Sequence, residues 1–151
     1  MPVKLKSIKR KKRQFDFFCF NYKGKWLVQK RGEGDIWGGL YQFYLIENKS
    51  MPLLEASYLN EILMQQLGLT QKQIKLNLKQ ALAIKNAASS VYSQTLTHQL
   101  LQARFILIPC ATLPSIFTKV LWVSPQQLKQ LPFPKVINQF LESEFINWSK
   151  T

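Results

Sequence analysis

The segment KRGEGDIWGGLYQF, Lys30 to Phe43, sets a tryptophan before two glycines and an apolar run. A Gly-Gly pair after a strand lets backbone come close to another group, because no Cβ intervenes. Loops of this kind often work with carboxylates that hold a hard cation, whose ligands must be oxygens. Here no carboxylate follows Gly39 until Glu47. Glu55 and Glu61 come later, in a helical run, where scattered acids ordinarily make a solvated face. The one histidine, His98, could contact an anion or brace its own loop through a hydrogen bond, and both readings stand. Cys19 and Cys110 lie in apolar runs and read as two buried thiols in a reducing compartment. They are too few for an iron–sulfur cluster or a structural zinc site.

Charge narrows the partners. The net charge of the 151-residue chain is +13, and seven of the ten residues from Lys4 to Arg13 are basic. Without those seven, 14 basic residues still face 8 acidic ones. A polyanion is the natural partner, and nucleic acid is the commonest one. A solvated tail with no specific partner is the blander reading. The 46% hydrophobic and 19% charged composition is that of a globular chain, and the length suits one domain. No apolar run is long enough for a membrane span, and the basic N-terminus lacks the apolar core of a secretory signal. The expectation is a cytoplasmic monomer with no membrane partner, associated with the nucleoid if DNA is its polyanion.

The elements that must position these residues follow from periodicity. Residues 1–12 read as a basic linker or arm, and 13–151 as the folded domain. Residues 13–22 and 25–31 read as two strands of a hairpin turned at Lys23-Gly24. The glycine-rich segment 32–39 is a loop, and 40–46 a third strand. Residues 53–69 have the best helical pattern: Leu59, Ile62, Leu63 and Leu67 share a stripe, and Gly68 is placed as a stop. The alternating run 73–85 predicts a strand, and 97–109 a long one. Ser124 and Pro125 are a helix cap and first-turn proline, and "KVINQFLESEFINW" predicts a closing helix. Strands and helices in this order give an α+β architecture, a mixed β-sheet sandwiched between helices.

A hairpin, a Gly-Gly loop and a helix ending in Gly-apolar resemble the Nudix domain, a family that hydrolyses nucleoside diphosphates linked to another group. In that signature a glutamate follows the second glycine, and the helix carries Arg-Glu, then a Glu-Glu pair, then Gly-apolar. Laid on this chain, Gly39, Gly68 and Leu69 match. The first glutamate falls on Leu45, the arginine on Glu61, the next glutamate on Ile62, and the acid pair on Gln65 and Gln66. Neutral amides will not hold Mg²⁺ against water. The resemblance is therefore to a Nudix-like frame with a degenerate Nudix box, no metal site and no catalytic residues of its own.

Such a frame with "DIWGGLYQF" resembles more closely the C-terminal domain of the MutY family of adenine DNA glycosylases, which reads Gly-Leu-Trp-Gly-Gly-Leu-Trp-Glu-Phe-Pro here. "VQKR" fits what precedes it. "YSQTLTHQLLQARF" (92–105) resembles the family's recognition loop and following strand, with Leu96-Thr97-His98 for its Phe-Ser-His. "LWVSPQQLKQLPFPKVINQFLE" resembles its ending, and "PVKLKSIKRKKRQF" its interdomain linker. The likeness runs essentially end to end. It implies a DNA-repair role in base excision: this domain binds 8-oxoguanine opposite adenine in duplex DNA. A separate N-terminal domain, which carries the catalytic acids and an iron–sulfur cluster, would remove the adenine. This chain would have no cofactor, and its partners would be that DNA and its own catalytic domain.

Reading the lesion needs an acceptor for N7–H and a donor for O8, and a hydroxyl is both. Thr97 keeps the hydroxyl of the family's serine and leads the candidates. Leu96 could press on a base or sugar, His98 could reach phosphate, and Gln94 is a further contact. Arg104, in a strand, is a weaker candidate that could simply face solvent. Lys9, Arg10, Lys11, Lys12, Arg13, Lys30 and Arg31 would contact phosphates, which position a protein without reading sequence. Trp37 reads as structural. Two other classes compete: an active Nudix hydrolase of oxidised nucleotides, and a basic adaptor that binds nucleic acid or protein without lesion preference.

Overall fold

The computed structural model describes residues 9–148. Most of the 1–12 arm lies outside them. At the centre is β1 (Lys11–Tyr22), whose successive side chains point to opposite faces. Phe15, Phe17 and Cys19 enter one core, and Phe18 and Phe20 the other. Helices cover both faces, so Phe15–Phe20 reads as an apolar run interrupted only by Asp16 rather than as an alternating one.

Strand β1 runs parallel to β6 (Gln99–Pro109) from Lys11 opposite Gln99 to Asn21 opposite Pro109. Outside β6 lies antiparallel β5 (Tyr92–Thr95). On its other side β1 turns into β2 (Lys25–Lys30) through Lys23 and Gly24, both left-handed at φ 47° and 77°. This is what a two-residue hairpin matched to strand twist requires. The hairpin then opens and a third segment fills the gap. Strand β3 (Tyr41–Gln42) pairs with β2, and β4 (Tyr44–Asn48) pairs with β1. The sequence predicts a single strand over 40–46. It is split at fully buried Phe43 because its two halves serve different partners. Strand β7 (Val120–Val123) lies along the free edge of β2.

One face is covered by α1 (Ala56–Asn60), which widens into a π-helix over Glu61–Gln66, and by α2 (Ala81–Asn86). Gly68, at φ 71°, ends the helix, its N–H and that of Leu69 reaching back to the Met64 and Leu63 carbonyls. The run at 53–55 lies outside the helix, and Leu53 is exposed. The strand predicted over 73–85 does not form. Ile74, Leu76 and Leu78 are alternately buried, but only Ile74 makes a bridge, to Cys110, and the alanine-rich end coils into α2. Alternation there reports burial without a partner strand. The other face carries α3 (Pro125–Leu128), α4 (Lys135–Ser143) and α5 (Phe145–Trp148). Ser124 caps α3 through the Gln127 N–H, as the sequence predicts. The closing helix breaks at Glu144, whose carboxylate accepts from the Ser90 N–H and the Tyr92 hydroxyl. Phe140 holds this layer down, stacked on Phe105 at 4.0 Å. Cys19 and Cys110 are free and buried, and burial pushes the Cys110 thiol up to about 12.

Candidate nucleic-acid interface

The strand directions bring four chain segments to one end of the sheet. Because β1 and β6 are parallel and β2, β4 and β5 run against their neighbours, the start of β1 meets the β5–β6 turn and the ends of β2 and β4. The β5–β6 turn is tight. The Leu96 N–H donates to the Gln99 carbonyl at 2.8 Å, leaving Thr97 and His98 as the two exposed residues at the tip. The arm is tied to this turn. The Lys11 N–H donates to the His98 carbonyl at 3.0 Å, and Arg10 Nε donates to the Leu96 carbonyl at 3.1 Å. Lys9, Arg10, Lys11, Lys12 and Lys30 are exposed at this end. The structure thus brings together most residues that the sequence singles out.

Two of them are spent elsewhere. Arg13 is buried and its five guanidinium N–H groups all have acceptors. It makes a double bond pair to Glu47 at 2.8 and 2.7 Å, another to Asp35 at 3.0 Å each, and a fifth bond to Gln99 Oε1 at 3.2 Å. The two carboxylates raise the Arg13 pKa further, and Arg13 in turn holds the Asp35 carboxyl down at about 2. Arg31 donates to the Ile36 carbonyl, Gln42 Oε1 and Asp35 Oδ2, with only 9% of its side chain exposed. Burial lowers its pKa, and Asp35 opposes that. Neither arginine offers a phosphate its charge as placed here. The expectation that they do is corrected: a stable bidentate pair needs planar carboxylate partners, and the loop and β4 supply them.

This cluster also accounts for the glycine pair. Trp37 through Leu40 is a turn closed by the Leu40 N–H to the Trp37 carbonyl at 3.0 Å, with Gly39 at φ 79° in the position of a type II turn that demands a left-handed residue. A Cβ on Gly38 would sit 2.9 Å from Glu33 Oε2 and 3.3 Å from the Gly32 carbonyl. The loop folds back on its own acid and bonds to Arg13 and Arg31 through Asp35. Trp37 packs edge-on against Phe15 at 5.7 Å and against the core, a structural role.

The remaining candidates are placed as follows. Leu96 is half-buried against the core, so little of it is free to press on a ligand. Gln94 is half-buried on β5, and its Oε1 has no hydrogen-bond partner among the described residues. Arg104 does not face solvent: it is buried and donates Nε and Nη2 to Asp16 at 2.9 and 2.8 Å. Asp16 also accepts from the Tyr58 hydroxyl at 2.6 Å, and burial beside this carboxylate pushes the Tyr58 pKa up. The sequence does not single out Asp35 and Glu47 as the neutralising partners of Arg13, or Gln99 as the acceptor of its fifth N–H. Alternating charges near a glycine loop carry no signal of who pairs with whom.

The metal that the signature would hold does not fit the residues present. Ile62 is 3% exposed in the core, Leu45 packs inside the sheet opposite Phe17, and Gln65 and Gln66 are exposed neutral amides. None brings the negative charge a hard dication requires.

A mixed sheet between helices, with a glycine loop followed by a helix ending in Gly-Leu, defines a Nudix fold. The family model for the NUDIX domain matches residues 17–143, and the chain belongs to that family. Among solved structures it is similar to the C-terminal domain of mouse MUTYH, determined in complex with human PCNA (8% identity, TM-score 0.56, covering 92% of this chain and 90% of that one). It is similar also to the MutT protein from Methanosarcina mazei Go1 (16%, 0.53, 96% and 100%) and to the E. coli ORF135 protein (14%, 0.55, 91% and 91%). At these identities the likeness shows a shared fold. No curated protein matches the chain in sequence. No helix of the described residues is long and apolar enough to cross a membrane.

Proposed function

We propose that this NUDIX domain recognises a damaged base in duplex DNA, binding 8-oxoguanine opposite adenine while a separate domain excises the adenine. One observation carries the reading. The exposed Thr97-His98 turn is hydrogen-bonded to a basic segment in which Lys9, Lys11 and Lys12 make no ion pair among the described residues, whereas the positions that should hold a metal are apolar or neutral. In this reading the Thr97 hydroxyl accepts from N7–H or donates to O8, and turn amides add donors. His98 contacts phosphate, Gln94 lends a further polar contact, and Leu96 supports the turn from below. Lys9, Arg10, Lys11, Lys12 and Lys30 position the duplex without reading it.

The test is fluorescence anisotropy on three duplexes, 8-oxoguanine opposite adenine, guanine opposite adenine and a matched pair, at two salt concentrations. Tighter binding to the first at both salts is expected. Equal binding that falls steeply with salt would replace the proposal with a basic adaptor.

A second reading is favoured by membership of the family and by the likeness to MutT structures: hydrolysis of oxidised nucleoside diphosphate derivatives. It requires Mg²⁺-dependent turnover, and Gln65 and Gln66 argue against it.

A further inference from the structure

We infer that Lys11, Lys12 and Lys49 form a discrete phosphodiester site on the side of β1 away from the Thr97-His98 turn. The inference rests on the reading of a duplex partner but not on the lesion.

Three observations lead to it. First, β4 stops pairing with β1 at Asn48, opposite Gln14, so Lys11–Arg13 run on past it with no strand on that edge among the described residues. The resulting cleft, about 520 Å³, is lined by Lys11, Lys12, Glu47, Asn48 and Lys49. Second, its one acid is already neutralised, because Glu47 is held in a bidentate pair by Arg13. The Asn48 amide is committed to the Tyr58 hydroxyl at 3.1 Å. Third, the three lysines are exposed, and no ion pair of the described residues involves them. Three ammonium groups around a cleft whose acid is neutralised fit a group that is anionic, compact and hydrated, with several acceptor oxygens. Phosphate has these properties, and Lys suits it as a point charge. Lys49 comes from the far end of β4, and the sequence gives no reason to group it with the arm.

The site also sets a path. Lys11 contributes its N–H to the turn on one side and its side chain to the cleft on the other. A backbone that crosses the start of β1 would meet the cleft on one edge and the turn on the other. Phosphates held in the cleft would fix which nucleotide reaches Thr97, in the way that phosphate contacts set register without reading bases.

The experiment measures anisotropy over a salt series for the chain and for Lys49→Ala, with Lys72→Ala as a control. Lys72 is exposed beside the Ile74–Cys110 bridge, at the opposite end of the sheet. Lys49→Ala should weaken lesion-containing and matched duplexes alike, by roughly fivefold, and reduce the salt slope by about 1. Lys72→Ala should change neither. A Lys49→Ala chain that behaves like Lys72→Ala overturns the site. So does inorganic triphosphate that displaces duplex at equal phosphate concentration, since the ligand would then be a free polyphosphate. Loss of lesion preference is not part of this test. If the unsubstituted chain binds all three duplexes equally while Lys49→Ala weakens them alike, the lesion reading fails and the phosphate site stands.

Discussion

Two arginine–carboxylate clusters lie on β1, centred on Arg13 and Asp16, only three residues apart in the chain. Asp16 faces Arg104 directly across the β1–β6 ladder, 1% exposed, in a pair that also takes the Tyr58 hydroxyl. Arg13 gathers Asp35 from the glycine loop, Glu47 from β4 and Gln99 from β6, and its two carboxylates keep 45% and 37% of their side-chain surface in water. The first pair joins two strands already aligned by eleven residues of pairing. The second ties the glycine loop, through Asp35, to strand ends that the sheet already aligns. A fully buried pair is costly to assemble and more costly to break, because the survivor is left charged and dry. A half-exposed cluster contributes less stability, since water competes, but it decides where a loop sits. The difference separates a device for holding the sheet from a device for shaping the functional end.

The comparison can be broken at the buried pair first. Asp16→Ala should cost about 3–5 kcal/mol in urea unfolding, because it strands the Arg104 guanidinium. If Asp35→Ala costs as much, burial does not distinguish the two clusters. Next comes the loop that the exposed cluster shapes. Gly39→Ala should cost about 1–2 kcal/mol, since an L-residue at φ 79° is strained and its Cβ would lie 3.2 Å from Glu33 Oε1. A cost near zero would show that the turn opens freely.

Acid sharpens the contrast further. The Asp35 carboxyl is held at about 2, chiefly by its hydrogen bonds from Arg13, below the ordinary value of 3.8. Its folded-state pKa is depressed, so its contribution is present above about pH 4 and is lost as pH falls toward 2. Asp35→Asn should flatten that part of the stability–pH curve, and an unchanged acid limb would mean that Asp35 does not feel Arg13 in solution. The smallest expected effect on stability is at the tip. Thr97→Ala, on an exposed turn, should change unfolding free energy by less than about 0.5 kcal/mol, yet lower preference for the 8-oxoguanine duplex with little change in salt slope. Loss of stability there would mean that the hydroxyl is structural.

Much of the fold was legible because it follows from local chemistry. The Lys23-Gly24 hairpin, Gly68 as a helix stop and the Ser124-Pro125 cap are each dictated by residues within a few positions of one another. The failures share a different cause. The 73–85 run alternates as a strand does, but a strand exists only if another lies beside it. The split at Phe43 arises because one segment serves two neighbours. The six-residue π stretch uses the same residues an α-helix would. Of the candidate site, the residues at the basic end were legible as types, while their availability was not. Arg13 and Arg31 look like Lys12 and Lys30 in the sequence, and only the fold hands the arginines to carboxylates.

What the sequence determined by itself was the inventory and its local grammar: a basic arm, a glycine turn, a signature without its acids, and strands and helices in Nudix order. Local backbone preferences and side-chain charge are properties of residues, and they survive without a fold. What the tertiary structure decided was which charges are free. Asp35, Glu47 and Gln99 come from three distant segments to consume all five N–H groups of Arg13, and Lys49 arrives beside Lys11 and Lys12 with none of that charge spent. Electrostatic pairing acts over a few ångströms of space, so it is settled only when the chain has brought those segments together.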